Sequence, residues 1–275
     1  PVAVYGVGYL VQRTIVFATL FGLLSATLYL RAQQASRSSD VLSAALMAGL
    51  AMMSKEHAVL LPAATVVLTP LVASWNRHTV IRALGYLALT APCVAWIFLH
   101  RGRDYLGNNY EVYAGDILAQ ITGVGSSGPL GSPWLMSVAT QLILFWKYLF
   151  LWLFPNPQWM SADLRVDFSV LWGSAWAYVG LGGSVAVLLA AVICWLHPRA
   201  GKGIRRWSAL IGFVAIPFVV ELSTVRVQEP FVLYRSYLWM PGYALLFAQV
   251  FMMVDECLSR REGLNVWLRH TLLLG

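Results

Sequence analysis

The chain has 275 residues, of which 59% are hydrophobic and only 11% charged, with a formal net charge of +7. Soluble domains carry about 25% charged residues, so this composition excludes a soluble globular enzyme and points to a helix bundle that needs charge only at its ends. No basic run is interleaved with exposed aromatics as nucleic-acid binding would need, and the excess Lys and Arg read instead as cytoplasmic loops of a membrane protein.

In chain order, the sequence opens at Pro1 and not at Met, and its last apolar run, 266–274, stops at Gly275. It reads as a piece of a longer protein. Spanning helices need about 20 mostly apolar residues. Runs of that kind cover 14–30, 41–73, 80–99, 134–154, 170–196, 207–222 and 236–254. The second is interrupted by Ser54-Lys55-Glu56-His57, so it reads as two short helices meeting at that turn. Cys93, Cys194 and Cys257 stand far apart without CxxC or Cys/His spacing, which supports neither a disulfide framework nor a zinc site.

Loop charge orients the runs. Arg31 and Arg37, then Arg77 and Arg82, then Arg199, Lys202, Arg205 and Arg206, then Arg260 and Arg261 mark four basic loops. The positive-inside rule puts them in the cytoplasm. Run 80–99 must then run outward and 170–196 inward, so everything between starts and ends outside. A single span at 134–154 would break that parity. The reading is one transmembrane domain over 1–275, an outer-face loop at 100–135 rich in Gly and Ser, and an interfacial helix at 136–154. The aromatic stretch from Phe145 to Phe154, interspersed with Lys147, suits such a helix.

Ionisable residues inside an apolar region are costly unless paired or hydrated, and are functional candidates by default. Lys55, Glu56 and His57 form the sharpest such group: a Lys beside a Glu can hold a phosphate while the Glu orients a partner. The bland alternative is a solvated helix-end turn. Gln12-Arg13 opens the first helix on the same face, where Arg can fork onto a phosphate or carboxylate or simply anchor the helix. Arg235 and Tyr237 enter a later helix from that face. Asp163 and Asp167, spaced by four, have the chemistry to bind a metal or act as acid and base; a solvated loop is the plainer reading. Glu221 sits in an apolar run and calls for a partner, with Arg226 the nearest cation.

Three stretches, in order, resemble one membrane glycosyltransferase group. They are Pro1-Val-Ala-Val-Tyr with Leu10-Val-Gln12-Arg13 and Leu20-Phe-Gly-Leu-Leu; Met53-Ser-Lys55-Glu56-His-Ala-Val-Leu-Leu-Pro62; and Leu233-Tyr-Arg235-Ser-Tyr237-Leu-Trp-Met-Pro241-Gly242. The group is the TPR-containing transmembrane O-mannosyltransferases and their bacterial relatives, of the GT-C fold. His57 stands where that group more usually has Asn or Gln, and Leu-Trp-Met-Pro where it has Leu-Pro. The resemblance implies an all-α, polytopic, GT-C-like bundle in a bacterial inner membrane. It implies transfer of a sugar from a polyprenyl-phosphate-linked donor to a protein or glycan hydroxyl on the outer face. Arg13, Lys55 and Arg235 would bind the donor phosphate, with Gln12, Glu56, His57 and Tyr237 as supporting polar groups. The catalytic acid would lie in a first outer loop, mainly before Pro1, and TPR repeats beyond Gly275. Cations or a divalent metal ion would stabilise the leaving phosphate, and that metal ion is the one candidate cofactor. The rival readings are an O-antigen ligase or oligosaccharyltransferase of another membrane family, a transporter with its charged site near the midplane, and a non-catalytic scaffold.

Overall fold

A computed structural model describes residues 13–105, 133–156, 174–197, 201–226 and 231–259. Among them the regular structure is helical and there is no strand: α1 is Arg13–Ala35, α2 Ser38–Ser54, α3 Leu61–Val67, α4 Arg77–Tyr105, α5 Pro133–Leu153, α6 Ala175–Leu196, α7 Lys202–Leu222 and α8 Met240–Ser259. Five stretches are long and apolar enough to cross a membrane: Arg13–Ala35, Arg77–His100, Trp134–Leu153, Ala175–Leu196 and Lys202–Leu222. The chain is a multi-pass helical membrane bundle. Its outward faces suit hydrocarbon: Trp176, Val179, Leu189, Ile193 and Leu196 of α6 are all exposed. Several helices outrun the apolar stretches that announce them. Arg77, Lys202, Arg205 and Arg206 lie within helices, because their long stems pack along apolar surface while the charge reaches water.

Local chemistry fixes the turns. Ser36 takes the left-handed conformation, φ 58°, and reverses the chain between α1 and α2. The hydroxyl of Ser25 then donates to the Ala44 carbonyl at 2.7 Å. Lys55 is extended (φ −154°, ψ 124°), and its N–H closes α2 on the Ala51 carbonyl. A 3-10 turn, Glu56–Leu60, follows and leads into α3 with Pro62 in its first turn, where a missing N–H costs nothing. The expected pair of short helices meeting at Lys55-Glu56-His57 is thus present. Asn76 starts α4: its Oδ1 accepts from the N–H groups of His78 and Thr79 at 2.9 and 3.0 Å, and its own N–H donates to Thr79 Oγ1 at 2.8 Å. That reciprocal arrangement satisfies donors that helix geometry leaves open.

Contacts give the helix directions. A Cβ at Gly22 would meet Leu61, and Tyr29 hydrogen-bonds Thr69 at 2.8 Å, so α3 and the turn Thr69–Leu71 run alongside α1 in the same sense. Gly212 of α7 faces Val67, and His57 faces Glu221, so α7 runs the opposite way. One end of the bundle is basic. There Arg82 donates to the Ala32 carbonyl at 2.9 Å, and the rings of Trp75 and Trp195 meet at 6.4 Å. These contacts gather the end of α1, the start of α4 and the end of α6. The other end collects the start of α1, the Lys55 turn, the end of α7 and the start of α8.

Helix α5 is set against the connection between α7 and α8. Trp134 Nε1 donates to the Leu222 carbonyl at 3.1 Å, and Trp152 Nε1 donates to Ser236 Oγ at 2.8 Å. Both ends of α5 therefore touch one connection, although α5 also has the length and composition of a span.

Candidate functional site

At the end opposite the basic loops, three chain segments bring six ionisable side chains together. The Lys55 turn supplies Lys55, Glu56 and His57. The last turn of α7 supplies Glu221. The strap that joins α7 to α8, described over 223–226 and 231–239, supplies Arg226 and Arg235, the latter in the 3-10 turn Leu233–Leu238. Glu221 lies on the same helical face as Val214 and Phe218, seven and three residues earlier, and is carried into the interior by that apolar ridge.

Glu221 is fully buried, with 0% of its side chain exposed. Its Oε2 lies 3.0 Å from Arg226 Nε and 3.6 Å from Arg235 Nη1. Its Oε1 lies 4.0 Å from His57 Nε2. His57 Nε2 is also 3.5 Å from Arg226 Nη2, while its Nδ1 is 3.5 Å from Glu56 Oε1. Glu56 Oε1 in turn sits 3.8 Å from Lys55 Nζ. The chain of contacts runs outward from Glu221 to Lys55 and Glu56, whose side chains are 25% and 35% exposed. A molecule arriving from outside meets Lys55 and Glu56 first, then His57, with the two guanidiniums below.

The His57 ring beside it, ahead of the opposing cost of burial, holds the Glu56 carboxyl down at about 2; Lys55 adds to the effect. Glu56 is therefore an anion across the ordinary pH range and unsuited to take up a proton near neutrality. The pair of guanidiniums on one buried carboxylate is a different kind of device. Breaking such a buried pair by removing one partner typically costs about 3–5 kcal/mol.

The residues singled out in the sequence divide as follows. Lys55, Glu56, His57 and Arg235 stand in the one network. Arg13 is the exposed first residue of α1 and makes no ion pair with the network among the described residues. The helix it heads does pack against the Leu233–Leu238 turn. Tyr237 sets its ring edge-on against Trp152 at 5.7 Å. Gln12, Asp163 and Asp167 lie outside the described residues. Among the described residues no three His, Cys, Asp or Glu side chains gather to hold a metal ion. Glu221 and Arg226 pair as their proximity suggests. The place of that pair at the centre of the site is new from the structure; the available signal was a lone acid in an apolar run.

Beside the network lies an apolar cavity of about 170 Å³ between α5, α6, α7 and α8, lined by Leu142, Trp146, Val187, Phe218, Leu222 and Tyr243 among others. Phe218 and Leu222 border it on the same turns of α7 that carry Glu221. The walls of this cavity are almost wholly apolar, and none of the six ionisable side chains lines it.

Comparison with known proteins finds no family model, no curated protein and no solved structure that matches this chain.

Proposed function

We propose that the protein is a membrane glycosyltransferase. It moves a sugar from a polyprenyl-phosphate-linked donor to a hydroxyl of a protein or glycan, on the face of a bacterial inner membrane opposite its basic loops. The observation that carries this reading is the meeting of the Lys55 turn with the Arg226–Arg235 strap around Glu221, at the non-basic end of a membrane bundle. The three motif resemblances supply the reaction class. The ion network has the cationic groups to hold a donor phosphate, and the cavity bordered by Phe218 and Leu222 of the same helix is apolar, as the hydrocarbon part of such a donor requires.

On this reading Lys55 is the first cation the phosphate meets, and a charge-assisted hydrogen bond from its ammonium group holds it. Arg235 and Arg226 lie deeper, and Glu221 sets their orientation. The acceptor oxygen forms a bond to the anomeric carbon of the sugar as the bond to the donor phosphate breaks. Polyprenyl phosphate leaves, and the hydroxyl proton goes to a carboxylate, which the resemblance puts in the first outer loop. Cationic groups fixed beside the departing phosphate favour that step because they need no rearrangement as charge develops. Helix α5 lies along the outer interface in this account, since both its ends meet the α7–α8 connection.

The test is direct. The full-length protein in liposomes, given a polyprenyl-phosphate mannose and the protein and glycan acceptors of its own membrane, should transfer labelled sugar. Lys55→Ala should slow transfer at low donor concentration and recover part of the rate when donor is raised. Absence of transfer from any polyprenyl-phosphate sugar, with donor binding also absent, would remove the proposal.

A further inference from the structure

The described stretches 223–226 and 231–239 of the strap carry both guanidiniums, and one face of α5 fastens them at three points. At the Arg226 end, Ser137 Oγ accepts from the backbone N–H of Arg226 at 2.9 Å and donates to the Thr224 carbonyl at 3.3 Å. In the middle, the Tyr148 hydroxyl accepts from the Val232 N–H at 3.0 Å and donates to the Val232 carbonyl at 3.1 Å. At the Arg235 end, Trp152 Nε1 donates to Ser236 Oγ at 2.8 Å, and Ser236 Oγ donates to the Leu233 carbonyl at 2.6 Å. Positions 137, 148 and 152 are separated by eleven and four residues, roughly three turns and one turn, and so share a face.

These fastenings bracket the two arginines. Arg226 is held by its own backbone. Arg235 is held on both sides, by Val232 three residues before it and Ser236 one residue after. The surroundings leave the strap little freedom to choose another course: Tyr148, Phe231, Val232 and Ser236 are all essentially fully buried. The Tyr148 ring stacks on Phe231 at 4.3 Å and meets Trp239 edge-on at 5.7 Å. Ring packing alone would fill this space without a hydroxyl. What the hydroxyl adds is a fixed address for one residue of the strap, through the two peptide units that flank it, and so for the arginine three residues on.

We propose that Ser137, Tyr148 and Trp152 are positioning residues that set where Arg226 and Arg235 stand on Glu221, and so shape the anion site. The inference rests on the reading above that this network binds the donor phosphate. It makes α5 part of the binding machinery through the strap, without contact to the donor. Catalytic and binding groups lose much of their effect when displaced by about 1 Å, which is the scale of freedom that losing one of these hydrogen bonds would allow.

The experiment uses the full-length protein in nanodiscs, with farnesyl phosphate as the probe and binding followed by calorimetry. Arg235→Ala should weaken binding tenfold or more. Tyr148→Phe, which keeps the ring and removes the hydroxyl, should weaken it about three- to tenfold. If Tyr148 acts through Arg235, the combined variant should bind within about twofold of Arg235→Ala alone, since residues acting as a unit are not additive. Wild-type affinity in Tyr148→Phe, or losses that multiply in the combined variant, would overturn the proposal while leaving the anion site in place. Unchanged affinity in Arg235→Ala would instead remove the anion site and this inference with it. If Tyr148→Phe does not fold, Ser137→Ala read against Arg226→Ala in the same cycle makes the same test at the other end of the strap.

Discussion

Replacing Glu221 with Gln is the sharpest perturbation of the network, because it removes a charge and almost no volume. The two guanidiniums contact the same carboxylate oxygen, at 3.0 and 3.6 Å, so their contacting nitrogens stand within about 7 Å of each other. At an effective dielectric near 20, two unit charges at about 7 Å repel by about 2 kcal/mol. The carboxylate at present offsets that repulsion. The loss of a buried ionic partner typically costs about 3–5 kcal/mol, and the uncompensated repulsion is one component of that figure. Glu221→Gln should therefore lower stability by about 3–5 kcal/mol. Adding Arg226→Gln to it should return part of the loss, because one of the two like charges is gone. The assay is SDS titration of the protein in mixed micelles, followed by tryptophan fluorescence, with the two single variants and the double variant compared in a cycle. A Glu221→Gln protein within about 0.5 kcal/mol of wild type, the range of an ordinary surface change, would refute the placing of Glu221 as the charge that holds the strap.

Three further outcomes follow from the same structure. Glu56 is held down at about 2 in the folded protein against 4.5 for an ordinary Glu, so its own contribution to stability is lost as pH falls from about 4.5 toward 2; the stability difference between wild type and Glu56→Gln should shrink through that acid window, and a difference unchanged across it would refute the contact. A Cβ at Gly242 would collide with Val214 and press on Phe213, so Gly242→Ala should lower stability by about 1–3 kcal/mol, the usual cost of overpacking, and a thermal midpoint equal to wild type would show that α7 and α8 are not held that close. Single cysteines at Trp134 and Phe154, both exposed at the ends of α5, should react with an impermeant reagent from the same side of the membrane, and a cysteine at Arg77 from the other; labelling of 134 and 154 from opposite sides would make α5 a crossing helix.

Much of the fold is legible in the sequence because lipid imposes simple demands. Apolar runs of spanning length become helices, and the polar interruption at Lys55-Glu56-His57 becomes a turn, since an apolar helix cannot carry three ionisable residues without bringing them to water or to partners. The helix ends are less legible: α4 starts at Arg77 and α7 at Lys202, because helix geometry tolerates basic side chains that reach outward. The site was only half legible. Lys55 and Arg235 announce themselves as charges beside apolar runs. That His57 and Arg226, 169 residues apart in the chain, meet on either side of Glu221 is set by the packing of α7 against the Glu56–Leu60 turn and α3, which no local pattern encodes. Ser137 of α5 bonds the Thr224 carbonyl and the Arg226 N–H, 87 and 89 residues further along the chain. No local pattern gives partners that distant.

The central claim is that the Lys55 end of the bundle, and not the basic end, binds the phosphate of a polyprenyl-linked donor. The most direct measurement is the affinity of the full-length protein for polyprenyl phosphate in nanodiscs, compared among wild type, Lys55→Ala and Arg77→Ala. Loss of one charge-assisted hydrogen bond, about 1.5–3 kcal/mol, predicts roughly tenfold to hundredfold weaker binding for Lys55→Ala and binding within about twofold of wild type for Arg77→Ala. Equal affinities for wild type and Lys55→Ala, or a larger loss in Arg77→Ala, would contradict the account.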